Sequence, residues 1–257
     1  MAPFKPQYTP KQLPYISFLR STDPTSFAEY EKDDVTICWI DLLGVSGMNH
    51  ASIVQAVTTC LESASESSSN GGIWDDGVLV GTTNAAMQFS LVGDALLLVE
   101  KHMPKTPAAA TLALIYRVNI LARLLNERGL LFRGVITKGT VKCFTFEGST
   151  LITGEAVVRA SSLEKNLKAS GLYYDEKIAQ FISSRAPQVF KDSFCVNFSQ
   201  VPNWPNATHA PGLYGVCFSQ FDGWKHWNEN LNRADGTNNK VINAKSLLIE
   251  IKSTIGI

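Results

Sequence analysis

Residues 35 to 41, VTICWID, are apolar and β-rich until the last position, which is an aspartate. A run of this kind belongs to a buried strand, and the Leu-Leu-Gly after it ends the strand and turns the chain. The segment NHASIVQAVTTCLESA then sets Ile53, Val54, Val57, Cys60 and Leu61 at helical spacing. Strand, turn and helix therefore follow one another directly, with an acid where the strand runs out. The fold must give that acid something to hold.

The next segments narrow the architecture. SESSSNGG is a polar break, after which GTTNAAMQFSLV and ALLLVEKH read as strands joined by a Gly93-Asp94 hairpin signal. A second acid thus sits at a tight turn. TPAAATLALIYRVNILARLLNERG has a Thr cap, Pro107 in its first turn and a closing Gly129, the pattern of a helix. LLFRGVITKGTVKCFTFEG reads as a strand, a Lys-Gly turn at Lys138-Gly139 and a second strand. GEAVVRASSLEKNLKAS predicts a helix ending near Gly171, and GLYYDEKIAQFI a strand and helix. Strand, helix, two strands, helix, strand is a ferredoxin-like order. It predicts an α+β fold with a mostly antiparallel central sheet flanked by helices.

Three regions follow. Residues 1–34 carry five of the eleven prolines and read as an extended arm with a short helix near PTSFAEYEKD. Residues 35–185 hold the sheet domain. Residues 186–257, rich in Pro, Asn and Trp, read as a C-terminal extension packed on the same domain. At 257 residues and 45% hydrophobic the chain can bury a full core. Lys+Arg and Asp+Glu balance at 23 each, which excludes a global attraction to nucleic acid or an anionic membrane. Any anionic ligand must be gripped locally. The N-terminus has Pro and Lys where a secretory signal has an apolar core, and no run approaches the ~18 apolar residues of a membrane span, so the expected location is cytoplasmic. Cys38, Cys60, Cys143, Cys195 and Cys217 lack ligand spacing and are expected as free thiols, leaving the sequons at Asn197 and Asn206 unused.

Asp41 and Asp94 carry the chemistry. On neighbouring strands their oxygens meet at one sheet edge, where Mg²⁺ or Mn²⁺ is held by one or two carboxylates plus substrate phosphates. The Gly44-Val45-Ser46-Gly47 turn precedes a helix, where free N–H groups and the helix dipole favour a triphosphate. The plain alternative makes Asp41 a helix cap and Asp94 an ordinary turn residue. His50, His102, His209 and His226 show no paired ligand spacing. Trp204, Trp224 and Trp227 can stack a base, but in a Pro-rich cover they more simply pack the core edge or a dimer contact.

The ordered motifs WIDLLGVS, LVGDALLL, FRGVITKG and GEAVVRASSLE resemble those of the class III nucleotidyl cyclases, over roughly residues 35 to 185. The resemblance implies that Asp41 and Asp94 bind two Mg²⁺ or Mn²⁺ ions and that Leu42 lends a backbone carbonyl to metal. It assigns N–H contacts with phosphate to Leu43, Gly44, Val45 and Ser46. The departures matter as much. Ser90 stands where purine cyclases carry a base-reading Lys or Glu, and Leu151 holds the second base-reading position. Val158 replaces the ribose-binding Asn and Ser162 the transition-state Arg.

RGVITKG and GEAVVRASSLEK look most like the bacterial Pycsar pyrimidine cyclases. That resemblance implies conversion of UTP, or alternatively CTP, into the cyclic monophosphate and pyrophosphate. It implies a homodimer with sites at the interface, metal acids from one subunit and base readers such as Ser90 from the other. The product would be an antiphage second messenger read by a separate effector protein. Ser90 can donate to or accept from a pyrimidine edge. Leu151 and Phe89 can fill the space a purine leaves, although their apolar neighbours point to plain core positions. Arg133, Lys138, Arg159 and Lys165 are the cations able to replace the missing arginine, with Arg133 and Arg159 preferred and Lys138 expected at a turn near the phosphates. A cyclase-fold module that binds nucleotide or dimerises without catalysis is the competing reading. A diguanylate cyclase would show GG(D/E)EF where this chain has LVGDALL.

Overall fold

The structure, a computed structural model, describes residues 27–45, 48–69, 72–75, 78–82, 87–100, 107–146, 149–186, 195–200, 212–217 and 223–255. The first half runs β1 (Phe27–Leu43), α1 (His50–Ser69), β2 (Gly72–Asp75), β3 (Val78–Thr82), β4 (Met87–Val92), β5 (Ala95–Glu100) and α2 (Pro107–Glu127). Next come β6 (Leu131–Phe146), β7 (Ser149–Thr153), α3 (Glu155–Asn166), β8 (Gly171–Asp175) and α4 (Glu176–Arg185). The last part holds β9 (Cys195–Asn197), β10 (Leu213–Cys217), α5 (Gly223–Arg233) and α6 (Asn239–Ile255).

The main sheet has the order β4-β5-β1-β6-β8-β10-β9, with β7 also on β6. Its heart, β6-β1-β5-β4, is the ferredoxin-like order that the sequence predicts. Every pair is antiparallel except β6 with β8, and the β7–α3 segment supplies the crossover that a parallel pair requires. The fold is therefore α+β with a mostly antiparallel central sheet flanked by helices. β10 pairs with β8, so residues of the C-terminal segment extend the same sheet.

Strand alternation sorts the core into two faces. Cys38, Ile40 and Leu42 of β1 point to one face and pack with α1 and α2. Val35 and Ile37 point to the other, where Leu97, Val99 and the α3 residues Ala156 and Ala160 cover them. Further along that second face, Val135 and Tyr173 meet Trp227 and Leu231 of α5 and Val241, Ala244 and Leu247 of α6.

Several expectations are corrected. Residues 27–33 are strand and not helix, because β6 runs long enough to pair them, from Phe27 with Phe146 to Lys32 with Val141. Residues 1–26 lie outside the described residues. Lys138-Gly139 is no turn: both residues lie inside β6 opposite Thr36 and Val35. The irregularity falls instead on β1, between Lys32 and Val35, where Asp34 takes a φ of 59°. The first of the two strand candidates divides, its early part (β3) pairing with β2 and its later part forming β4. α3 ends at Asn166 because the next residue, Leu167, turns extended to bury itself in the α5–α6 cluster.

Two glycines are dictated by backbone. Gly93 has φ 65° in the β4–β5 hairpin. Gly154, at the start of α3, has φ 122°, and a Cβ there would collide with the Thr140 carbonyl. Among the described residues no helix is long and apolar enough to cross a membrane.

Candidate active site

β1 ends where the β4–β5 hairpin turns. The Leu42 N–H donates to the Asp94 carbonyl at 3.0 Å, and Asp41 stands directly opposite Ala95. Asp41 and the Asp94 turn therefore lie at the same end of the neighbouring strands β1 and β5. Asp94 is exposed, and the Asp41 side chain is 20% exposed. Asp41 is not a helix cap. Asn49 does that work for α1, its Oδ1 accepting the Ala51 N–H at 2.9 Å and its carbonyl accepting from Ser52 and Ile53.

Between β1 and α1 the chain turns as expected. Leu43 closes the strand, Gly44 takes φ 73°, and Val45 buries its side chain in the α1–α2 cluster. That buried valine anchors the turn, and its carbonyl accepts the Met48 N–H at 2.9 Å. Ser46 lies outside the described residues.

On the α3 face, Asp41 meets a charged cluster. Arg133, its cross-strand partner on β6, donates from Nε to Asp41 Oδ2 at 3.1 Å. The same Nε contacts the Glu164 carboxylate of α3, and Nη1 donates to the Leu167 carbonyl at 3.2 Å. Burial pushes the Glu164 carboxyl up, Arg133 opposes that, and Asp41 adds to it. Burial and then the Arg133 charge push the Lys240 ammonium of α6 down, while Asp41 and Glu164 pull it back.

These donors suit a hard divalent cation. Among the described residues no three or more of His, Cys, Asp and Glu gather as a ligand set. Two carboxylates with the rest of the shell left to water and phosphate is how Mg²⁺ is commonly held. Asp41 and Asp94 would hold the ions, with the Leu42 carbonyl beside them.

The other predicted residues scatter. Ser90 is opposite Leu97, which is opposite Trp39, so it shares the face of Asp41 two strands away. Phe89 and Leu151 are not core: they are 50% and 53% exposed. Phe89 sits on the edge strand β4, and Leu151 on β7, which among the described residues pairs with β6 alone. Leu151 is opposite Phe144, so at ~3.3 Å per residue it lies roughly 35 Å along β6 from Arg133 and Asp41. Val158 is 67% exposed on α3. Arg159 serves a different acid: its Nε donates to the buried Asp175 at 2.7 Å. Lys138 is buried mid-strand, bonded to Thr111 at 3.1 Å and Asp34 at 3.2 Å, with Phe181 beneath it. Lys165 is exposed on the last turn of α3. Only Arg133 of the four candidate cations reaches Asp41.

Sequence reasoning missed Glu164 and Lys240. Glu164 did leave a signal: Ala156, Ala160 and Glu164 recur every four residues on the buried face of α3, so an acid falls on an apolar stripe. Lys240 left none, because the approach of α6 is tertiary. Trp204, His102 and His209 lie outside the described residues, while Trp224, Trp227 and His226 fall as the sequence predicts. Trp227 is buried, Trp224 lies under Lys252, and His226 sits between Glu127 and Glu229.

No family model matches the sequence, and no curated protein matches it. Among solved structures the chain is similar to the catalytic core of a rhodopsin-guanylyl cyclase with converted specificity in complex with ATPαS. The identity is 14%, over 75% of this chain and 98% of that chain, with a TM-score of 0.43. It is similar to the monomeric guanylyl cyclase domain of the RhoGC fusion protein from the aquatic fungus Blastocladiella emersonii, at 16% identity over 66% and 91% of the chains, TM-score 0.41. A bacterial light-regulated adenylyl cyclase is similar at 12% identity over 95% of this chain and 64% of that one, TM-score 0.45.

Proposed function

We propose that this protein is a metal-dependent nucleotidyl cyclase acting on a pyrimidine triphosphate, UTP first and CTP as the close variant. One observation supports the reading: the Leu42–Asp94 backbone bond holds the Asp94 turn against the end of the strand that carries Asp41, next to the Gly44 turn. In the reaction the ribose 3′-oxygen attacks the α-phosphorus, the bond from that phosphorus to the bridging oxygen breaks, and pyrophosphate leaves with the electron pair. The 3′-hydroxyl proton passes to water. Bound at Asp41 and Asp94, two Mg²⁺ or Mn²⁺ ions would neutralise phosphate charge and acidify the 3′-hydroxyl.

The chain's own residues align the substrate. Backbone N–H groups of Leu43, Gly44, Val45 and Ser46 grip phosphate, and Arg133 balances charge beside Asp41. Ser90 reads the base edge. The distance of Leu151 from Asp41 in one chain, and the exposure of Leu151 and Val158, support a homodimer in which the partner brings its base-facing wall to the metal edge. On the same reading the enzyme is cytoplasmic, and its product is an antiphage signal bound by a separate effector protein.

The second reading is a nucleotide-binding or dimerisation module without turnover. It is favoured by Val158 and Ser162, which supply neither an amide nor a guanidinium to the substrate. The deciding experiment incubates purified protein with Mn²⁺ and each of ATP, GTP, CTP and UTP, followed by chromatography. Conversion of UTP or CTP, abolished in Asp94→Ala with its melting curve intact, is the expected result. A folded dimer that converts none of the four overturns the enzyme reading.

A further inference from the structure

Cys195 opens β9 and Cys217 closes β10, at the side of the sheet far from the aspartates. Antiparallel pairing sets Gly215 opposite Asn197, Val216 opposite Val196 and Cys217 opposite Cys195. Directly opposed residues of such a ladder point to the same face, with Cα atoms about 4.5–5.5 Å apart. A disulfide spans roughly 4.4–6.8 Å between Cα atoms, so the register alone brings this pair within bonding range. The side chains meet as the register requires. The two thiols hydrogen-bond one another, and both stand beside Tyr174 of β8, in the cluster that α1 and α2 cover. Cys38, Cys60, Cys195 and Cys217 are all free thiols.

The two sulfurs differ in access. Cys217 is 2% exposed, whereas Cys195 is half-buried and meets solvent. Burial is the leading cause that pushes the Cys217 thiol up, and the Cys195 sulfur beside it pushes in the same direction. Cys217 therefore keeps its proton, while Cys195 is the sulfur a small oxidant reaches first. Cys38 is the other thiol within electrostatic reach of Cys217. It lies on β1, with β6 and β8 between it and β10, so three strand spacings, roughly 14 Å, put it beyond a disulfide.

We propose that Cys195 and Cys217 form a two-cysteine redox site that hydrogen peroxide closes into a disulfide and a dithiol reopens. In the first step the Cys195 sulfur gives up its proton and attacks one peroxide oxygen. The O–O bond breaks, Cys195 becomes a sulfenic acid, and the other oxygen takes up the released proton and leaves as water. In the second step the Cys217 sulfur attacks the Cys195 sulfur, its proton passes to the departing oxygen, and a second water leaves. Two thiols have lost two electrons and one peroxide has become two waters. The bond staples β9 to β10, and so fastens the sheet edge that the C-terminal segment adds to β8. It closes a loop of roughly twenty residues, whose freedom in the unfolded chain it removes. The site owes nothing to Asp41, to Asp94 or to the cyclase reading.

Titration of the folded full chain with hydrogen peroxide, followed by intact mass and a peptide map without reductant, tests this. The expected product has lost two hydrogens, carries one Cys195–Cys217 link, and returns to five thiols with dithiothreitol. Its Tm should stand roughly 5 °C or more above that of the reduced protein. Cys217→Ser is expected to stop at the sulfenic acid, which dimedone labels at Cys195. Cys195→Ser is expected to form no disulfide at the same peroxide dose, and its half-buried position keeps the test in hand should Cys217→Ser fail to fold. A link between any other two cysteines, a bond that forms only in urea, or five thiols surviving excess peroxide overturns the site. An oxidised protein whose Tm does not rise overturns the staple.

Discussion

Asp175→Ala is the substitution whose cost can be worked most directly from the structure. Asp175 is fully buried at the junction of β8 and α4. Its Oδ1 accepts the Ile178 N–H at 3.2 Å and so caps α4, while Oδ2 accepts from the Thr137 hydroxyl and from Arg159 Nε at 2.7 Å. Loss of the cap costs about 1 kcal/mol. A buried Thr137 hydroxyl left without its acceptor costs about 1–3 kcal/mol more. The Arg159 side chain is 36% exposed, so it recovers hydration and adds little. The total is about 3 kcal/mol, a fall in Tm of roughly 6–12 °C for a chain of this size. Urea unfolding followed by tryptophan fluorescence measures it, with the slope checked against wild type. Asp175→Asn, which keeps one oxygen, is expected to lose about half as much. Arg159→Gln is the functional counterpart: it should cost under about 1 kcal/mol and leave turnover proportional to folded protein. An Asp175→Ala protein within about 1 kcal/mol of wild type, or a stable Arg159→Gln protein without turnover, refutes the assignment of Arg159 to Asp175.

Two further outcomes follow from buried acids. Burial raises the Glu100 carboxyl against the opposing pull of Thr36 and Lys138, so the native state binds a proton more tightly than the unfolded chain. Stability contributed by this group is present below the ordinary carboxyl range and lost as pH rises through the raised value. Glu100→Gln should flatten that decline in urea titrations from mildly acidic to neutral pH, and an unchanged slope counts against it. Glu164→Gln removes the charge that shares Arg133, so the guanidinium rests on Asp41 alone and competes harder with a divalent cation. Mn²⁺ affinity measured by electron paramagnetic resonance should weaken by roughly threefold or more; equal or tighter binding refutes the competition.

Local periodicity made most of the sheet legible. VTICWID, the Gly93-Asp94 turn and the helix from Pro107 each obey a rule contained within a few residues, and each element appears in its expected place. The failures share a different cause. Residues 27–33 look like a helix start when read alone, yet β6 offers sixteen residues of pairing and draws them into the strand. Lys138-Gly139 has the chemistry of a turn but pairs opposite Thr36 and Val35, where the partner strand pulls it straight. In both cases the hydrogen bonds of a long ladder outweigh local preference.

The site divides along the same line. Asp41 and Asp94 are paired in the sequence by the order of the cyclase-like motifs that contain them, and the structure sets Asp41 opposite Ala95, the residue after Asp94. Cations carry no such mark. Arg133, Arg159, Lys138 and Lys165 all lie near the motifs in sequence, and what separates them is which face of β6 or α3 each side chain leaves. Arg133 emerges beside Asp41 because register pairs the two residues directly. Five residues before Glu164, Arg159 already lies over a different strand and finds Asp175. Lys240 is further still from any motif, reaching the cluster only because Leu167 leaves the helical path and buries itself under α6. The acids are thus specified by topology, while their counter-charges are specified by packing, and a substitution that loosens the Leu167 loop should disturb Arg133 and Lys240 together.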